Sequence, residues 1–102
     1  MNAYLGEFEQ LLLLAMLQLD DAATAASIRK LVAEASGRTI WIGAVHTTLD
    51  RLEAKGLVRS STSERPEGRR KVFAPTAAGS RAIGHAHSTW LRLTQGLSAK
   101  LR

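Results

Sequence analysis

A chain of 102 residues with 45% apolar content is long enough for one hydrophobic core and reads as one domain. Fourteen Lys and Arg against nine Asp and Glu give a net charge of +5, which makes a polyanion the first partner to consider. The absence of cysteine excludes a disulfide framework, a thiolate nucleophile and a cysteine metal site, and leaves the cytoplasm as the expected compartment.

The first predicted helix runs from Gly6 to Leu19. Phe8, Leu11, Leu12, Ala15 and Leu19 share one stripe, while Leu13, Leu14, Met16 and Leu17 fill its flanks. A helix apolar nearly all round needs two covers, here the chain's own core and a second copy of the protein. The segment Leu11 to Leu19 is far shorter than the roughly 20 apolar residues of a membrane span. It also follows Glu7 and Glu9 instead of a basic segment, so it reads as a core helix and as neither anchor nor signal peptide.

Asp20 and Asp21 break the pattern. A second helix is predicted over Ala22 to Ser36, with Ile28, Leu31, Val32 and Ala35 inward and Gly37 as its stop. Thr39, Ile40 and Trp41 form an extended link to a third helix, whose buried face is Ile42, Val45, Leu49 and Leu52 and whose end is Lys55 and Gly56. Two β-prone runs, Leu57 to Thr62 and Lys71 to Ala74, flank the polar SERPEGRR stretch and predict a hairpin with a charged tip. After Pro75, which is expected to end the second strand early, Thr76 caps a last helix. That helix is expected to run toward Arg102 with Ile83, His87, Trp90, Leu93, Leu97 and Leu101 at steps of three and four. The predicted class is mostly α with a small β-hairpin, in the order of a winged helix-turn-helix.

The basic charge is concentrated. No Lys or Arg precedes Arg29, whereas Arg51, Lys55, Arg59, Arg65, Arg69, Arg70 and Lys71 crowd residues 51–71. With Val45, Leu49 and Leu52 inward, stepping about 100° per residue puts Gly43, Ala44, Thr47, Arg51 and Ala54 on the outward face of the third helix. Such a face can enter a nucleic-acid groove closely, and it also suits an ordinary solvated helix. Thr47 and Thr48 can contact a base edge or a phosphate, and Arg51 can do either. His46 stands at the margin, where it can donate to a phosphate or pack beside the core. Arg69, Arg70 and Lys71 follow the turn glycine Gly68 and can meet a phosphate backbone, although charge runs are often merely solvated.

His85 and His87 lie two apart on a helix, about 200° around it, and cannot chelate one metal together. The sequence holds no phosphate-binding glycine loop, no carboxylate pair in an evidently apolar setting and no recognisable nucleophile arrangement. No catalysis, cofactor or metal is expected.

Three stretches, LGEFEQLLLLAML, GAVHTTLDRLEAKGLVRS and GRRKVFAPTAAG, resemble the PadR family of bacterial transcription regulators in order and spacing, most closely its short members with a single C-terminal helix. The resemblance implies a winged-helix domain over 1–75, its first helix shared with the dimer interface, and a dimerisation helix over 76–102. It implies a DNA-binding set of Gly43, Ala44, His46, Thr47, Thr48, Arg51, Arg69, Arg70 and Lys71, and dimer contacts from Leu13, Leu17, Ile83, Trp90, Leu93 and Leu97. It further implies an intersubunit groove near Trp90, His87, Leu12 and Met16, where a flat hydrophobic or aromatic effector can stack on the indole; Trp90 can equally be plain dimer core. The expected function is a homodimeric, effector-responsive repressor on a near-palindromic operator. The alternative is a winged-helix interaction module that turns its basic face to an acidic protein partner. The chain departs from the family pattern at His46, where a tyrosine is usual, and at Trp41, where a small or polar residue is usual. Ala23, Thr24 and Ala25 replace a common aromatic and glycine, and Pro75 replaces a leucine.

Overall fold

The computed structural model describes residues 4–101. Helix α1 spans Glu7–Leu19 and ends where Asp20 takes φ 52°, ψ −124°, its N–H still bonded to the carbonyl of Met16. A 3₁₀ turn, Asp20–Ala22, follows at the expected break and takes in Ala22, which was expected to open the second helix. Helix α2 spans Ala25–Ser36 instead, because Thr24 and Ser27 cap each other: the Ser27 N–H donates to Thr24 Oγ1 at 3.1 Å and the Thr24 N–H to Ser27 Oγ at 2.9 Å. Gly37, at φ 69°, closes it as expected. Helix α3 spans Ile42–Ala54, with Trp41 as an extended N-cap residue and Gly56, at φ 75°, just past its end.

The hairpin is longer than its β-prone runs. Strand β1, Val58–Arg65, pairs antiparallel with β2, Gly68–Pro75, in a register running from Val58 opposite Pro75 to Arg65 opposite Gly68. Only Pro66 and Glu67 remain as the loop, and Gly68 absorbs the turn at φ 123°. The ladder carries the polar residues of the tip with it, since a two-residue loop lets pairing continue to Arg65. Pro75 closes the ladder and does not cut it short, as is tolerated in an edge strand.

Thr76 caps helix α4, Ala77–Thr94: its Oγ1 accepts from the Gly79 N–H at 3.1 Å and donates to the Gly56 carbonyl at 2.7 Å. The helix stops well before Arg102, where Gly96 adopts φ 74° and a 3₁₀ turn, Ser98–Leu101, follows. Leu97 thus lies beyond the helical stripe to which its spacing assigned it.

The core gathers Leu12, Leu13 and Met16 of α1, Ile28 and Val32 of α2, Val45, Leu49 and Leu52 of α3, Val58 and Phe73 of the hairpin, and Ala82 and Ile83 of α4. Helix α1 packs against α2, α3, β2 and α4. That central position corrects four expectations: Leu12, Met16, Leu13 and Ile83 are buried in the chain's own core, which leaves almost none of their surface for an effector or a second copy. The apolar edge left uncovered on α1 is Leu14 and Leu17, 39% and 47% exposed.

Gly79 fixes how α4 meets the rest. A Cβ there would stand 1.9 Å from the Leu57 carbonyl oxygen, which also accepts from the Thr76 N–H at 3.0 Å. Gly84, one turn and a residue later, has open space around it. We predict that Gly79→Ala destabilises the protein by about 2 kcal/mol net of the gain in helix propensity. Gly84→Ala should stabilise it by about 0.5–1 kcal/mol. Denaturant melts of the two variants check the pair, and equal effects would mean that the α4 contact is loose.

Candidate nucleic-acid interface

Helix α3 presents two faces. Val45, Thr48, Leu49 and Leu52 are buried, and Gly43, Ala44, His46, Thr47, Arg51 and Ala54 are exposed. Thr48 corrects the sequence reading: it lies three residues after Val45 and four before Leu52, on the inward stripe, and is 6% exposed. Its hydroxyl is not available to an external groove in this arrangement.

Sequence reasoning passed over Asp50, which is exposed and, by the same rotation that places Thr47 and Ala54, faces outward with them. A carboxylate there repels phosphate and can accept from a cytosine amino group. The first turn of α3 also opens with two large apolar residues in solvent, Trp41 and Ile42. Their signal in the sequence is Trp41 itself, an apolar residue at a position where capping favours Ser, Thr, Asp or Asn.

The hairpin brings the middle of β2 to α3. Arg70 and Lys71 line one shallow depression together with Ile42 and His46 of α3 and with Thr24, Ala25 and Ala26 at the start of α2. Strand β2 is pinned there by the Phe73 N–H, which donates to the Ala23 carbonyl at 2.9 Å. Ala23 is fully buried, and its small side chain is where the wing seats. Lys71 lies 5.5 Å over the Phe73 ring, an alignment that holds the ammonium near the depression. Arg69 differs from its neighbours. Its Nε pairs with Glu64 directly across the ladder at 3.1 Å, both side chains being solvent-exposed, so part of its charge is already answered.

This surface can bind a polyanion by its edge and place an uncharged helix face against whatever lies between the charges. Among the described residues no group of three or more His, Cys, Asp and Glu comes together as a metal site, and no helix is long and apolar enough to cross a membrane.

The chain matches the model of the transcriptional regulator PadR-like family over residues 13–85. It is similar to a solved PadR family transcription regulator from Clostridium difficile R20291, with 24% identity, a TM-score of 0.72, and coverage of 93% of this chain and 99% of the other. A Streptococcus transcriptional regulator is similar at 23% identity and a TM-score of 0.71, with 93% and 92% covered. A PadR family regulator from Eggerthella lenta is similar at 26% identity and a TM-score of 0.66, with 94% and 87% covered. No curated protein matches the chain significantly.

The far end of α3 is held by a charge. Lys55, its C-cap residue, donates to Glu9 Oε2 at 2.8 Å, while Glu9 Oε1 accepts the Gly6 N–H at 3.0 Å at the start of α1. Burial of Glu9 pushes its carboxyl pKa up. The Lys55 and Gly6 hydrogen bonds, with the positive charges of Lys55 and Arg51, together outweigh that push and hold it below the ordinary carboxylate value. The depressed pKa means that this link stabilises the fold above the unfolded carboxylate range and fades as pH falls through the folded value. Glu9→Gln should cost about 1 kcal/mol at neutral pH, discounted because Lys55 is partly in solvent. The gap to the parent protein should close in acid. Urea melts across pH check this, and a gap independent of pH would show that packing, not charge, is what the substitution removes.

Proposed function

The chain belongs to the PadR-like family of transcriptional regulators, and we propose that it binds a near-palindromic operator as a homodimer, represses transcription there, and lets go when a small hydrophobic or aromatic effector binds between the subunits. The observation that carries the DNA-binding half is the shared depression in which Arg70 and Lys71 of the wing meet Ile42 and His46 of α3. Phosphates fix a protein on a duplex and base edges give it sequence preference. Arg70 and Lys71, with His46, are suited to the first task; Gly43, Ala44, Thr47 and Arg51 are suited to the second, with Asp50 among them.

The dimer is supported by apolar surface that the chain does not cover. In α4 the buried residues are Gly79, Ala82 and Ile83, all in its first half; the second half exposes Trp90 (59%), Leu91 and Leu93 (70%). Together with Leu14 and Leu17 of α1, these residues are suited to a second copy of the chain. His87 lines a groove of about 600 Å³ with Leu14, Leu17, Ile83 and Gly84, whereas Trp90 lines a separate one with Leu5, Gln10 and Thr89. The effector reading therefore moves from Leu12 and Met16 to Leu14 and Leu17 beside His87, with Trp90 on the neighbouring flank. An effector that prefers a dimer with displaced reading helices lowers DNA affinity by its differential affinity for the two forms.

Replacing Trp90 and Leu93 by Glu should yield monomers in sedimentation; a soluble double variant that still sediments as a dimer would remove α4 from the interface. In a Trp41→Phe background, flat aromatic compounds should quench Trp90 in competition with operator duplex, and quenching without competition would leave a ligand site that is no switch.

The two halves of the DNA surface should separate in titrations against varied duplexes and salt. Neutralising Arg70 and Lys71 should weaken all duplexes alike and flatten the salt slope by about one unit per lost contact, with Arg69→Ala smaller because Glu64 already pairs with it. Changing Thr47 or Arg51 should reorder the preferred sequences. If every variant merely rescaled affinity, the reading face would lie elsewhere.

A further inference from the structure

Two large apolar side chains stand in water at the entry to the reading helix, where solvation alone favours neither. Trp41 is 75% exposed and Ile42 is also exposed, and the chain's own core does not reach them. Trp41 offers no side-chain cap, although its backbone carbonyl accepts from Ala44 and Val45 in the first turn. Gly43 and Ala44 follow, and nothing lies within 4 Å of the place where a Gly43 Cβ would sit. The helix thus begins with an apolar edge beside two residues small enough for close approach. Ile42 lines the same depression as His46, Arg70 and Lys71, so this edge is continuous with the cationic surface.

A polyanion seated on Arg70 and Lys71 brings its interior against Ile42 and Trp41. In duplex DNA the apolar group exposed in the major groove is the C5-methyl of thymine; every other base edge there presents donors and acceptors that an indole face and a sec-butyl group cannot satisfy. We propose that Trp41 and Ile42 are specificity-determining residues that pack on thymine methyl groups, so that each half-site of the operator carries thymine where the start of α3 docks. This inference rests on the DNA-binding reading above and adds the base class that the apolar edge selects. A cytosine or guanine in that place would leave its amino or carbonyl group facing carbon, which disfavours it.

Replacing thymine by uracil removes the methyl and leaves the hydrogen-bonding edge unchanged, so it isolates this contact. The duplex is obtained by selection from a random pool with the full-length protein, and its thymines are then changed to uracil one at a time. The expected result is at least one thymine in each half-site whose methyl is worth about fourfold in affinity. Trp41→Ala and Ile42→Ala should weaken binding to the parent duplex and lose the distinction between thymine and uracil there, with unchanged melting temperature because both side chains are exposed. In a Trp90→Phe protein, the remaining indole of Trp41 should shift to shorter wavelength or quench on adding the duplex. Uracil tolerated at every position, or variants that keep the full thymine preference, would overturn the inference while leaving the DNA-binding reading intact. A pool that yields no enriched duplex would overturn that reading itself, and the inference with it.

Discussion

Everything in this molecule is arranged around the burial of α1. A helix with so many apolar residues in sequence must be covered on most of its circumference, and α2, α3, β2 and α4 each take a share. Leu12, Leu13 and Met16 are the result, all essentially inaccessible to solvent. Because one helix serves as the common floor, α3, the wing and the first half of α4 cannot shift far relative to one another without opening that core, which packs like a solid and resists partial adjustment. What α1 leaves over, Leu14 and Leu17, is a narrow apolar edge. The same limit acts on α4, whose first half is locked by Gly79 against Leu57 while its second half projects with Trp90, Leu91 and Leu93 uncovered.

The electrostatic layout follows from that packing. Arg70 and Lys71, midway along the wing, lie beside Ile42 and His46 because the Phe73 to Ala23 backbone bond draws β2 against the α2 entrance. Farther out the ladder answers its own charges, Glu64 facing Arg69. Net charge alone would treat the whole hairpin as one basic patch. The geometry sets Arg70 and Lys71 beside α3 apart from Arg69, whose charge Glu64 partly cancels, and only cations not already paired are fully available to displace counterions from a duplex.

Much of this was legible in the sequence, for reasons that can be stated residue by residue. The stops at Gly37 and Gly56, the cap at Thr76 and the Val45, Leu49, Leu52 stripe are local signals, set by backbone conformation and helical period. The order of three helices, hairpin and helix follows from them. Sequence misleads where an assignment needs the third dimension. Leu12, Leu13, Met16 and Ile83 could face the core or a partner by period alone, and the number of elements packed around α1 decides it. The hydroxyl of Thr48 suggests an outward contact, but its position in the buried stripe is the stronger constraint. Leu97 kept the helical spacing although Gly96 ends regular helix before it. The ladder through the hairpin tip was hidden because its residues are polar, and pairing there depends on Pro66, Glu67 and Gly68 forming a tight loop.

The rigidity of the α1 core also constrains how any effector could act. Glu9 and Lys55 tie the N-terminal end of α1 to the C-cap of α3, and the Val45, Leu49 and Leu52 side chains tie the body of α3 to the same core. Bending α3 away inside one protomer would expose those residues and strip a buried carboxylate of its partner, a cost far above the 1–3 kcal/mol typical of allosteric coupling. In the proposed dimer, rotating one whole protomer against the other would require repacking only the α1 edge and the free half of α4, where the uncovered apolar residues and the His87 groove lie. Under the dimer reading, then, the switch is a change in the distance between two intact reading helices, and a duplex with a fixed half-site spacing is the partner most sensitive to it.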